Sequence, residues 1–128
     1  MKKIGVGIFK LGFGFVKLFA VPGSESGEVL LLPKSKGTRE IYIGIDGEWD
    51  EVVSTLLHEA YEVVLIDLNT RYKQKPSFSI ESSDYVFFMT HNQLGEAHER
   101  IGEFLVHALP ALSTAYKMYH EILKKKKK

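Results

Sequence analysis

Apolar residues return at intervals of three and four through Trp49, Val52, Val53, Leu56, Leu57, Ala60 and Val64, the spacing of a helix with one buried face. Its polar side carries Glu51, Thr55, His58 and Glu62. Residues 63–66 are apolar all round, so the later turns are expected to be covered on both sides, with His58 and Glu62 at the edge of a buried zone. Before this helix, residues 40–45 alternate with period two, which predicts a strand facing the core with Ile41, Ile43 and Ile45. Asp46, Gly47 and Glu48 close that strand and offer a helix cap. Residues 4–21 lack helical period, and four interior glycines (Gly5, Gly7, Gly12, Gly14) would cost a helix about 1 kcal/mol each. One or two strands are expected there, followed by a turn at 22–27, a short apolar run at 29–32 stopped by Pro33, and a second turn at 34–37.

After the helix, residues 70–83 are polar, include Pro76 and read as a loop with a short extended piece at 78–80, a natural rim or lid. Residues 84–90 read as a strand that delivers the chain to His91. From Asn92 onward Leu94, Ala97, Ile101, Phe104, Leu105, Ala108 and Leu109 keep helical spacing, and Pro110 should kink or break the helix before residues 112–123 resume it. His91 and His98 fall on the stripe of Leu94, Ile101 and Leu105, which predicts that at least one points inward. The fold class implied is α+β: a mostly antiparallel N-terminal sheet packed against the His58 helix and a long C-terminal helix. Residues 1–123 make a single domain, and the lysine run 124–128 a self-repelling tail expected to be disordered.

Composition narrows the chemistry. The chain has 128 residues, 26% of them charged, and a net charge of +1, so no overall field steers nucleic acid or acidic substrates. It has no cysteine, which excludes disulfides, thiolate metal sites and a cysteine nucleophile, and leaves histidine and carboxylates as the ligands for a transition metal. Met1, Lys2 and Lys3 followed by residues 4–20 loosely resemble a signal peptide. Lys10, Lys17 and the glycines argue against one, and no stretch approaches a membrane span, so a soluble, unprocessed, cytoplasmic protein is expected. There is no Walker loop, no dinucleotide fingerprint and no nucleophile elbow.

The segment with chemical content is H-E-x-x-E at residues 58–62. On a helix His58 and Glu62 share a face one turn apart and Glu59 projects beside them, the layout of two ligands and a general base in a zinc hydrolase. A catalytic zinc needs about three protein ligands and one open position. His91, at a strand end and helix start, is the leading third ligand, with His98 next. The same spacing is also that of a surface i,i+4 ion pair worth a few tenths of a kcal/mol. His107 and His120 show no partner pattern.

The run Thr55-Leu56-Leu57-His58-Glu59 followed by Glu62 resembles the active helix of small zincin-like proteins. It also resembles short phage and prophage proteins that share an H-E-x-x-E helix, a variable loop, a strand-helix junction like residues 87–94, and a tail similar to residues 104–112. The resemblance spans roughly residues 41–119 and implies a core of sheet plus two helices, with His58, Glu62 and His91 holding zinc and Glu59 acting as base on a peptide or other amide. Glu62 stands where the common motif has histidine. A carboxylate there also suits Mn or Fe, and a non-catalytic phage accessory or interaction protein could retain the same scaffold. Lys10, Lys17, Lys34 and Lys36, near glycines and aromatics, admit a weak nucleic-acid-binding alternative, as does the lysine tail, but no strong nucleic-acid signal is present. Nothing in the pattern sets the oligomeric state.

Overall fold

The computed structural model describes residues 2–30, 38–73 and 85–126. They form β1 (Ile4–Leu11), β2 (Gly14–Val21), β3 (Gly27–Leu30), β4 (Arg39–Gly44), α1 (Trp49–Asp67), β5 (Arg71–Lys73), β6 (Tyr85–Phe87) and α2 (His91–Lys126). This is the mixed α+β architecture expected: a four-stranded sheet ordered β1-β2-β4-β3 with both helices packed on it. The β1–β2 and β3–β4 pairings are antiparallel and the central β2–β4 pairing is parallel. The chain therefore passes from β2 to the far edge, makes β3, and returns to place β4 between them.

Period-two alternation selects the inner face. Val16, Leu18 and Ala20 of β2 and Ile41 and Ile43 of β4 are fully buried, while Phe15, Lys17, Phe19 and Tyr42 alternate to the other side. Against the inner face α1 packs Val52, Leu56, Ala60, Val63 and Val64, and α2 packs Ala97, Ile101, Phe104, Ala108 and Leu112. Phe104 meets Phe9 edge to face at 6.1 Å. Burying a side chain of this size contributes about 1.5–3 kcal/mol, so the inner layer dominates the stability of the fold.

One polar node locks the layers. Arg39 on β4 forms a two-pronged ion pair with Asp67 at the end of α1, and Asp67 also accepts the Phe13 backbone N–H at 3.0 Å from the β1–β2 turn. Gly12 in that turn has φ +66°, and a Cβ there would lie 2.1 Å from Asp67 Oδ2, so both backbone and space require glycine.

Four local expectations change. Glu48 occupies the N-cap of α1 without a side-chain bond; Asp46 instead accepts from Gly23 N and Tyr119 Oη, both at 2.8 Å, tying the turn to α2. The segment expected to be a loop from residue 70 begins with β5, which pairs antiparallel with β6, whereas residues 78–80, like Lys34 and Lys36, lie outside the described residues. α2 runs unbroken through Pro110 to Lys126, into the lysine run expected to be a tail. Proline removes the hydrogen bond to the Val106 carbonyl, and Val106 and Pro110 both lie on the exposed side of the helix, where losing that bond costs less than in the core. His91 and His98 are both exposed, so neither points inward.

Candidate metal centre

His58, Glu59 and Glu62 stand on the third turn of α1 and beyond, and each offers a ligand atom such that all three lie within 4.8 Å of one another. These residues can hold a metal ion. The helix supplies this convergence locally, since residues one turn apart share a face and the intervening glutamate is rotated about 100° from His58. His58 Nε2 is 3.8 Å from Glu62 Oε1, too long for a hydrogen bond. Two tetrahedral ligand atoms each about 2.05 Å from zinc stand about 3.3 Å apart, so a small side-chain adjustment closes the pair on an ion.

The three side chains differ in solvation. His58 is largely exposed and Glu62 one-third exposed, whereas only 7% of Glu59 remains accessible. The rotation that takes Glu59 away from His58 carries it toward the buried side of α1, under strand β3. Gly27 of β3 approaches so closely that a Cβ there would lie 2.4 Å from Thr55 Cγ2 and 3.3 Å from Glu59 Oε1. The Glu59 carboxylate makes no hydrogen bond among the described residues. Burial pushes its pKa up, Glu62 and Glu28 push it further in the same direction, and His58 opposes them. A carboxyl on a largely covered side chain and raised in pKa is suited to taking up a proton.

The third ligand expected from sequence is not brought to this group. His91 opens α2 and lines a separate polar cavity with Lys10, Asn92, Glu96, Glu99 and Arg100. His98 lies nearer α1: its ring meets Tyr61 edge-on at 5.8 Å, and its Nδ1 lies 2.8 Å from the Leu94 carbonyl oxygen. Neither belongs to the three-residue cluster. The helix-internal part of the site was readable from spacing, while a ligand from a distant element depended on the angle at which α2 crosses α1. Gly27 and Glu28 were not singled out from sequence. Their only signal was an apolar run after a turn, which gives no register.

β3 is an edge strand, paired with β4 alone among the described residues, so the Glu59 carboxyl lies beside an edge with free backbone groups. No described helix is long and apolar enough to cross a membrane. Comparison with protein-family models, with curated proteins and with solved structures finds no match.

Proposed function

We propose that this chain is a minimal zincin-like, metal-dependent hydrolase of peptide or other amide bonds, with zinc as the metal, His58 and Glu62 as two of its ligands, and Glu59 as general base. The observation that carries the reading is the junction of two ligand types, within 4.8 Å, with a carboxyl on a largely covered side chain. A divalent metal held there would supply Lewis acidity toward a carbonyl oxygen. Glu59 would take the proton of the attacking water and return it to the leaving nitrogen, a transfer that a raised carboxyl pKa favours near neutral pH. The edge of β3 that no described strand pairs offers backbone hydrogen bonds to an extended substrate beside that carboxyl.

Metal content and turnover separate the roles. Protein purified without chelator is expected to hold about one equivalent of zinc, falling below a tenth in His58→Ala and Glu62→Gln. Glu59→Gln should keep its metal and lose about 10²–10⁴-fold in turnover of a peptide-library substrate. If Glu59→Gln loses metal as completely as His58→Ala, Glu59 is a ligand and the base assignment falls. If the unsubstituted protein neither contains nor takes up metal, the whole reading falls. A non-catalytic accessory protein on this scaffold is favoured by one observation, the single histidine in the cluster. It predicts metal binding with no turnover and an undiminished biological effect in Glu59→Gln.

A further inference from the structure

The sheet has a second face. Both helices cover one side, and on the other β2 presents Phe15, Lys17 and Phe19 at period two. Phe15 is 58% exposed and its cross-strand partner is the exposed Lys10; Lys17 is exposed between the two rings, opposite Ile8. Phe19 stacks on Tyr42 of β4, with ring centroids 5.0 Å apart and planes inclined by 14°. Lys3 Nζ lies 4.4 Å from the Phe19 centroid and 3.2 Å from Tyr42 Oη, so a third lysine covers this ring pair. Beside it, where a bulge interrupts β1 between Gly5 and Gly7, lies a shallow cavity of about 270 Å³ lined by Gly5, Gly7, Ile8, Lys17 and Phe19.

Aromatic platforms alternating with lysines are the elements by which proteins hold unpaired nucleic acid, the rings stacking bases and the ammonium groups meeting phosphates. We propose that this open face, through Phe15, Phe19, Lys3, Lys10 and Lys17, binds single-stranded nucleic acid. Phe15 and Phe19 are about 13 Å apart along the strand at ~3.3 Å per residue, giving two stacking positions with Lys17 between them. A base stacked on Phe19 displaces the Lys3 ammonium from the ring and frees it for a phosphate. The charge pattern gives the strand its path. The β1–β2 half of the face carries the lysines, while Glu40, bonded to the Tyr42 hydroxyl, and Glu28, cross-strand from Tyr42, lie on the β3–β4 half. A strand following β1–β2 meets Lys10 and Lys17, with Glu40, the register partner of Lys17, held on the Tyr42 hydroxyl and Glu96, Glu99 and Glu103 lining the cavity that Lys10 shares with α2. An anionic membrane lying flat on the sheet would also meet both glutamates. The proposal does not rest on the metal centre, which is on the opposite side of the sheet.

The test is fluorescence anisotropy of the full chain with a labelled oligothymidylate of about twelve nucleotides, within the range one β-sheet module spans. Binding is expected at low salt, weaker for a duplex of the same length. Phe15→Ala should weaken it about tenfold and Phe15→Tyr, which keeps the ring, should not. Lys17→Glu should weaken it and make the dependence of log affinity on log salt shallower by about 0.7 for each phosphate no longer neutralised. Both positions are exposed, so unchanged melting temperatures verify that the fold is intact. Absence of binding at low salt overturns the proposal. So does binding that ignores Phe15→Ala and Lys17→Glu but vanishes when residues 124–128 are deleted, or binding to phosphatidylserine vesicles without binding to the oligonucleotide.

Discussion

Replacing Glu59 by glutamine should stabilise the metal-free protein. The wild-type Glu59 residue is 93% covered, and its carboxylate has no hydrogen-bond partner among the described residues and lies within 4.8 Å of the Glu62 ligand atom. Two unit charges 4.8 Å apart at an effective dielectric constant of ~20 repel by about 3.5 kcal/mol. Because Glu62 is one-third exposed, solvent screening reduces this to about 1–2 kcal/mol, and desolvation of Glu59 acts in the same direction. For a domain of this size the gain corresponds to a rise in melting temperature of about 4–8 °C. Its pH dependence follows from the raised folded pKa. Below the ordinary carboxyl value of 4.5 that holds in the unfolded chain, both states are protonated and the variant gains nothing. As pH rises from there through the raised folded value, the unfolded state releases its proton first, wild type loses stability, and the advantage of Glu59→Gln grows to a plateau. Thermal melts of chelator-treated protein from about pH 3.5 to 8.5 measure both. A variant no more stable than wild type at about pH 8, or an advantage that persists at about pH 3.5, would refute the reasoning, because either result means that the carboxylate is not held in an unfavourable environment.

Other perturbations give equally direct outcomes. Zinc at about a hundred times its dissociation constant should raise wild-type stability by about 2.7 kcal/mol and leave His58→Ala unmoved in the same melts. Asp67→Ala leaves the Arg39 guanidinium and the Phe13 N–H without their partner, and should cost about 3 kcal/mol in urea unfolding; a loss under about 1 would show that water substitutes for it. Gly27→Ala forces β3 away from Thr55 and Glu59, and should cost about 1–3 kcal/mol, partly restored by Thr55→Ser, which removes the clashing methyl; a neutral Gly27→Ala would mean that β3 stands off the helix. Phe104→Ala empties the space against Phe9 and should cost about 3–5 kcal/mol by denaturant titration.

The sequence by itself determined what depends on near neighbours along the chain. Alternation at residues 40–45 marked Ile41, Ile43 and Ile45 as core, and three-four spacing marked α1 and the buried stripe of α2, because side-chain direction follows backbone period whatever lies opposite. The shared face of His58 and Glu62 belongs to the same class. The start of α2 carries a local signal of the same kind: Thr90 and Gln93 bond reciprocally as a capping box, at 3.1 and 2.8 Å.

Tertiary structure decided everything that needed a partner from far along the chain. Burial of Glu59 depends on β3 landing on α1 with Gly27 at the point of contact, and periodicity carries no information about which strand will cover a helix face. His91 stands at a strand end and helix start suited to presenting a third ligand, but the crossing of α2 placed it in another cavity. The parallel β2–β4 pairing set both edges of the sheet. Phe15, Lys17 and Phe19 lie on the face that neither helix covers, where period two alone shows only that they oppose Val16 and Leu18. The H-E-x-x-E spacing established which side chains could meet, and the position of β3 over α1 decided that one of them is buried.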